Sequence, residues 1–143
     1  MRLCGKNYQG EKMFDLKTKI LVVDDMSTMR KIVGKILKDI GFTDITEAAD
    51  GIQAWNAVST TPLAFGLIIS DWNMPNCSGI DLLKRLRGDQ RYKRTPFILV
   101  TAESEGHQVA EALKSGVDQY VVKPFNKESL VSKLELVHKK YAA

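Results

Sequence analysis

Cysteine and histidine are scarce in this sequence of 143 residues. Only two cysteines, Cys4 and Cys77, and two histidines are present, so the chain offers neither a disulfide framework nor a Cys/His set for zinc. No apolar run approaches the roughly 20 residues that cross a bilayer, and the first residues lack the apolar core of a secretory signal. These absences favour a cytoplasmic protein with no membrane partner.

The excess of basic residues is small and unevenly placed. The chain has 21 basic and 17 acidic residues, a net charge of +4. Residues 1–19 hold five of the basic and two of the acidic groups, so the remainder is nearly neutral and no nucleic-acid partner is expected. A basic run at residues 84–94, KRLRGDQRYKR, is interpreted as a solvated face, with a protein-docking patch as the alternative.

One domain accounts for a chain of this length. We expect residues 1–16 to form a flexible N-terminal extension and residues 17–143 to form a single folded domain. The codons for the QGEK segment before Met13 could contain a ribosome-binding sequence, which makes Met13 an alternative start to Met1. The intact mass of the protein from its host decides between the two.

Five short apolar runs alternate with segments of helical periodicity. The runs lie at residues 19–23, 42–46, 65–70, 96–101 and 118–122. Three runs are nearly continuous blocks rich in Ile and Val, typical of strands covered on both faces. The run at residues 42–46 is more polar, which suits an edge strand. Apolar stripes of helical spacing follow the runs, with Ser27 or Thr28 and Asn126 as candidate N-caps. The alternation predicts an α/β fold with a parallel five-stranded sheet between helices.

Polar side chains end four of the five predicted strands. In an open parallel sheet, functional groups gather at the carboxyl ends of the strands, so these residues are expected along one edge. They are Asp24 and Asp25 after the first strand, Asp71 and Asn73 at the third, Thr101 at the fourth, and Lys123 at the fifth.

Three carboxylates at one edge need a compensating charge. Two of them ~6 Å apart repel by roughly 3 kcal/mol at an effective dielectric constant of about 20, and Lys123 neutralises only one of the three. A divalent cation would compensate for the rest, and oxygen ligands favour Mg²⁺ or Mn²⁺ over zinc. A single Asp after a strand is usually a turn former; three carboxylates, a hydroxyl and an ammonium group at one edge instead indicate a cation site that can accept a phosphoryl group.

Four motifs in this order resemble the receiver domains of bacterial two-component response regulators. They are LVVDDMSTMR, ISDWNMPN, VTAES and YVVKPF, and the resemblance extends from about Lys17 to Tyr141. Among these domains, the single-domain chemotaxis members are the most similar. The resemblance implies a flavodoxin-like (βα)5 doubly wound fold with strand order 2-1-3-4-5.

The resemblance also implies a metal site and a phosphoacceptor. Asp71 would accept the phosphoryl group, and Asp25, Asp71 and the backbone carbonyl of Asn73 would ligate Mg²⁺, with Asp24 acting through water. Lys123 would bind the phosphoryl oxygens.

The same resemblance implies a conformational switch. Thr101 would move toward the phosphoryl group, and Tyr120 would become buried in response and carry the signal to the neighbouring helices. The peptide bond before Pro124 would be cis. Asn73 and Glu103 would flank the water that removes the phosphoryl group.

The implied partners are a chemotaxis-type histidine kinase, a flagellar motor switch protein and a phosphatase, with the domain acting as a monomer. Residues 105–107 (Glu105, Gly106 and His107) and Leu136 depart from the family pattern on the face that docks the motor. The alternative function is therefore a phosphate sink or relay intermediate with another partner.

Enzyme functions are less consistent with the motifs. We expect only Mg²⁺-dependent self-phosphorylation and autodephosphorylation, with no external substrate turned over. Phosphatases with an aspartyl nucleophile typically carry Asp-x-Asp at the first strand, whereas Asp24 and Asp25 are adjacent. A flavin site is disfavoured because DDMST is acidic where a phosphate-binding loop is needed.

Overall fold

Five parallel strands form one sheet in the order β2-β1-β3-β4-β5. The structure, a computed structural model, describes residues 14–72, 74, 77–102, 110, 113–123 and 125–142. The observed order confirms the predicted flavodoxin-like topology. The strands are β1 (Lys19–Val23), β2 (Asp44–Ala48), β3 (Leu67–Asp71), β4 (Phe97–Ala102) and β5 (Gln119–Lys123).

Helices connect the strands and follow the last of them. Those with described bounds are α1 (Ser27–Ile40), α2 (Gly51–Thr60), α3 (Gly79–Arg87) and α4 (Lys127–Ala142). The segment predicted as a helix around Val109 falls largely outside the described residues. No helix in the described part of the chain combines the length and apolarity needed to span a membrane.

The sheet separates two apolar layers because its side chains alternate between its faces. Leu21 and Val23 of β1 pack with residues of α2 and α3 in one cluster. Ile20 and Val22 of the same strand pack with α1 and α4 in the other. The central strands are thus covered on both sides, as their continuous apolar runs predict.

The turn between α1 and β2 explains why β2 begins two residues later than predicted. Gly41 has a φ of 127°, and the backbone N–H groups of Gly41 and Phe42 both donate to the Leu37 carbonyl, at 3.1 and 3.0 Å. Phe42 is 1% exposed. Its apolar side chain therefore covers the end of α1 instead of starting the strand, as apolar residues beyond a helix C-terminus commonly do.

Of the two N-cap predictions, the one for the last helix is confirmed and the one for α1 is wrong. Asn126 caps α4, since its Oδ1 accepts from the Ser129 N–H at 2.9 Å. The prediction of Ser27 or Thr28 is wrong: Met26 occupies the N-cap of α1 and makes no side-chain cap bond. Instead, the Met26 N–H donates to the Asp24 carboxylate at 2.9 Å.

Two arginines of the basic run stabilise the fold. Five of the six basic residues of this run are exposed, in agreement with its interpretation as a solvated face, and Arg87 is half-buried. Arg87 donates to the carbonyls of Tyr92 and Thr95 at 3.1 and 2.7 Å. Arg91 donates to the carbonyls of Thr61 and Pro62 at 2.6 and 2.9 Å, beyond the end of α2. Both side chains satisfy backbone acceptors that would otherwise depend on water.

The described chain begins with residues that pack onto the domain. Phe14 belongs to the α1/α4 cluster, and its ring lies 5.3 Å from that of His138 in an edge-on arrangement. The Nδ1 of His138 is buried without a hydrogen-bond partner among the described residues. The domain boundary near residue 16 stays a prediction, but contacts with the domain already start at Phe14.

Candidate metal centre at the carboxyl ends of the strands

Three carboxylates meet where β1 and β3 end. Asp24, Asp25 and Asp71 each place an oxygen within 4.8 Å of the others. Asp24 and Asp71 are buried, at 3% and 7% exposure, whereas Asp25 is exposed. The strand ends thus bring together the acidic residues that the sequence predicted at one edge.

Lys123 supplies the cation of this cluster from the end of β5. Its Nζ lies 3.0 Å from Asp71 Oδ1 and 3.8 Å from Asp24 Oδ2. Its side chain is 25% exposed, so the ammonium group is partly open to solvent. One lysine against three carboxylates leaves the cluster negative.

Burial makes ionisation of the two inner carboxylates unfavourable. Desolvation raises the pKa of Asp24, and the hydrogen bond from Met26 opposes the shift. Desolvation likewise raises the pKa of Asp71, and the bond to Lys123 opposes it. A bound cation would relieve this penalty, because an adjacent positive charge favours the ionised form.

The backbone around Asp24 is fixed by residues that the sequence analysis did not single out. Arg30 of α1 donates to the Asp24 carbonyl at 2.6 Å and forms an ion pair with Glu47 of β2 at 3.0 Å. The Asp24 N–H donates to the Ala48 carbonyl at 3.1 Å. The LVVDDMSTMR motif does not by itself indicate that Arg30 binds the Asp24 backbone, because an arginine in the first turn of a helix is usually solvated.

Gly79 allows the start of α3 to approach Asp71. A Cβ at this glycine would lie 2.2 Å from the Asp71 carbonyl oxygen, and the Gly79 N–H donates to the Trp72 carbonyl at 2.9 Å. Trp72 is only 5% exposed and belongs to the α2/α3 cluster. The bond from Gly79 holds the Trp72 backbone against the start of α3, and the indole packs among residues of α2 and α3.

Thr101 and Tyr120 occupy neighbouring strands of the same sheet. Thr101 is 2% exposed and lies one residue past Val100, which pairs with Asp71 in the β3–β4 register. Tyr120 of β5 is half-buried and packs against the α2/α3 cluster, with the Lys133 ammonium 5.1 Å from its ring centroid. Thr101 therefore lies at the acidic end of the sheet, while Tyr120 is three residues before Lys123.

Several predicted residues lie outside the described part of the chain. These are Asn73, Glu103, Glu105, Gly106, His107 and Pro124. Cys77 is described: it is 7% exposed and fills the space beside Gly51, where an added Cβ would lie 2.6 Å from the Cys77 sulfur.

The donor set fits a hard divalent cation. All three converging groups are carboxylates, and Mg²⁺ prefers oxygen ligands with some positions left to water. The exposed Asp25 and the partly exposed Lys123 leave the cluster accessible from solvent.

Comparison with known proteins agrees with this geometry. Residues 20–135 match the response regulator receiver domain family. The chain is 46% identical over 119 residues to the chemotaxis protein CheY of Pseudomonas aeruginosa PAO1, which covers 83% of this chain and 94% of that protein. The solved structure of CheY4 from Vibrio cholerae aligns with a TM-score of 0.77 at 36% identity, covering 85% of this chain and 98% of that one.

A more distant solved structure carries a metal ion. The receiver domain of a sensor histidine kinase from P. aeruginosa PAO1 aligns with a TM-score of 0.75 at 25% identity, covering 86% of this chain and 98% of that one. That domain was solved with a magnesium ion coordinated in its active-site cleft.

Proposed function

This chain belongs to the response regulator receiver domain family of two-component systems, and from that premise we propose that Asp71 accepts a phosphoryl group from a histidine kinase. The observation that carries the proposal is the contact of 3.0 Å between Lys123 Nζ and Asp71 Oδ1 beside the two further carboxylates. A buried carboxylate, a paired ammonium and an oxygen-rich cluster open to solvent together suit phosphoryl transfer.

In the proposed reaction, a carboxylate oxygen of Asp71 attacks phosphorus and the imidazole of the donor leaves. Asp24, Asp25 and Asp71 would hold Mg²⁺ with the backbone carbonyl of Asn73, and Mn²⁺ could replace it. When bound, the ion supplies positive charge that stabilises the transferring phosphoryl group. Lys123 keeps its ammonium beside Asp71, where it can bind a phosphoryl oxygen and offset the added negative charge.

Phosphorylation then changes the charge at the end of β3. An acyl phosphate adds negative charge and acceptor oxygens at Asp71, and the hydroxyl of Thr101 at the end of β4 can donate to them. Movement of Thr101 gives Tyr120 room to change position, which alters the surface of β5 and α4. Autodephosphorylation resets the domain, and no external substrate is turned over.

The proposed output is control of flagellar rotation in chemotaxis, in the cytoplasm, through contact of a monomer with a motor switch protein. Its support is the similarity to the chemotaxis protein CheY over 94% of that protein's length. Upstream, the kinase would be of the chemotaxis type, and a phosphatase would shorten the signal.

Binding to a motor-switch peptide tests this output. We expect Mg²⁺ with beryllofluoride, a phosphoryl mimic, to tighten binding of the labelled peptide about tenfold or more, measured by fluorescence anisotropy. Asp71→Asn is the control, since it should bind with the low affinity of the unmodified protein under both conditions.

Equal peptide affinity with and without beryllofluoride would favour the second candidate, a phosphate sink or relay intermediate. The observation behind this alternative is Leu136, which is 49% exposed on α4 at a position where the family pattern has a basic residue. In that case, deletion of the gene should leave swimming bias unchanged.

A further inference from the structure

A groove separates α1 from the edge strand β2, away from the carboxylate cluster. It encloses about 290 Å³ and is lined by Lys31, Gly34, Lys35, Lys38, Ile45 and Glu47. Its floor is the backbone at Gly34 and the partly buried side chain of Ile45, which packs on the α1/α4 cluster. One wall belongs to β2, which lies at the end of the strand order and pairs with β1.

The groove is positively charged. Lys31, Lys35 and Lys38 are all exposed, and none of them forms an ion pair or hydrogen bond with the part of the chain that the structure describes. The acidic residue in the lining, Glu47, is already paired with Arg30 at 3.0 Å. Three ammonium groups therefore line the groove without a counter-charge from its own walls.

Gly34 leaves the groove open, because it has no side chain to fill it. It lies in the interior of α1, where glycine is less favourable than alanine. A Cβ built there would have no heavy atom within 4 Å, so packing of the fold does not require a glycine. A glycine at position 34 is explained if a ligand occupies the empty space above it.

We propose that this groove binds an acidic segment of a partner protein, with an apolar side chain of that segment seated over Gly34 and Ile45. Lys31 and Lys38 are seven residues apart on α1, which corresponds to about 10 Å along the helix axis. Carboxylates distributed over two helical turns of a partner match that spacing. The apolar floor adds a contact that a purely electrostatic surface lacks.

A compact phosphate ligand fits the groove less well. The backbone N–H groups of residues 31–38 lie inside α1 and are engaged in the hydrogen bonds of the helix, so they cannot bind an anion as a helix N-terminus can. Lysines provide separate point charges on flexible stems, whereas phosphate recognition favours the planar fork of arginine. Charge spread along a peptide is the better complement.

The test uses the intact protein and a synthetic helical peptide with a central leucine flanked by glutamates, labelled for fluorescence anisotropy. We expect saturable binding that weakens with added salt, with NMR amide shifts confined to residues 31–38 and 45–47. Lys35→Gln with Lys38→Gln should weaken binding about three- to tenfold. Gly34→Leu, which fills the groove, should weaken it similarly.

Matched controls separate this site from general charge attraction. Lys93→Gln with Lys139→Gln removes the same charge from exposed positions elsewhere, and Gly34→Ala leaves most of the groove open. Both should bind the peptide as the unmodified protein does. Equal weakening by the two double variants, or equal binding of a peptide with the leucine replaced by glutamine, would overturn the proposal. Pyrophosphate shifting the same amides while the peptide does not would overturn it in favour of a small-anion site.

Discussion

The Asp71 carboxylate is held in surroundings that disfavour its negative charge. Burial raises its pKa above the ordinary value of 3.8, and Lys123 only partly opposes the shift. Between pH 3.8 and the raised pKa, the folded protein binds more protons than the unfolded chain. The stabilisation from this group is therefore fully present below pH 3.8 and is lost as the pH rises through the raised pKa.

Asp71→Asn should raise the melting temperature of the metal-free protein at neutral pH, because it removes the buried charge. The gain over the unmodified protein should shrink as the pH falls toward 3.8, where the native carboxyl is protonated as well. Thermal unfolding between about pH 4 and 8 in the presence of a chelator measures both effects. Asp39→Asn, an exposed change on α1, should show no such pH-dependent gain; if it does, the effect does not come from the site.

Two glycines in helices have opposite packing requirements, and one of them adjoins the site. At Gly79, the first residue of α3, a Cβ would lie 2.2 Å from the Asp71 carbonyl oxygen, whereas at Gly34 it would meet nothing within 4 Å. The absence of a side chain at Gly79 lets α3 pack against the end of β3. At Gly34 there is space for a side chain.

Alanine at each position gives opposite results. Gly79→Ala should lower the free energy of unfolding by about 1–3 kcal/mol, because the backbone must move to accept the methyl group. The same movement should weaken Mg²⁺ binding. Gly34→Ala should raise the free energy of unfolding by up to about 1 kcal/mol through helix propensity. Urea denaturation with and without Mg²⁺ measures both. A stabilising Gly79→Ala would contradict the packing seen at Asp71.

The convergence of the acidic side chains at one edge of the sheet could be predicted from the sequence, because it depends on which residues end the strands. A run of buried residues ending in Asp24 or Asp71 implies the same edge once the strands are parallel. The burial of Trp72 and Phe42 could not be predicted, since each lies just beyond the end of a strand or helix, where the periodicity of the sequence no longer shows which way a side chain points. Nor could the role of Arg87, whose acceptors are distant carbonyls.

The domain is held together at the other end of the sheet by a buried carboxylate. Asp118, whose side chain is 1% exposed, contacts Arg87 Nη2 at 3.2 Å and Lys140 Nζ at 2.6 Å. It also accepts from the Phe97 N–H at 2.8 Å and the Tyr141 hydroxyl at 3.0 Å. Burial, followed by the Asp118 charge, raises the pKa of Tyr141 to about 12. These contacts join α3, β4 and α4 at the start of β5.

Asp118→Ala should lower the free energy of unfolding by about 3–5 kcal/mol, since it leaves Arg87 without its buried partner. Mg²⁺ affinity should change little, because Asp118 precedes Lys123 by five residues of extended chain, or about 16 Å. Urea denaturation tests the loss of stability, and a Mg²⁺ titration followed by tryptophan fluorescence tests the unchanged affinity. Loss of Mg²⁺ affinity in a folded variant would show that the two ends of the sheet are coupled.

Incorporation of a phosphoryl group from a small acyl phosphate, followed by intact mass, tests most directly whether the clustered charges at the strand ends serve phosphorylation. With Mg²⁺ present, the unmodified protein should gain the mass of one phosphoryl group, whereas a chelator or Asp71→Asn should abolish the gain. Lys123→Gln should reduce it without unfolding the domain. Labelling of Asp71→Asn at the rate of the unmodified protein, or labelling indifferent to Mg²⁺, would contradict the proposed function.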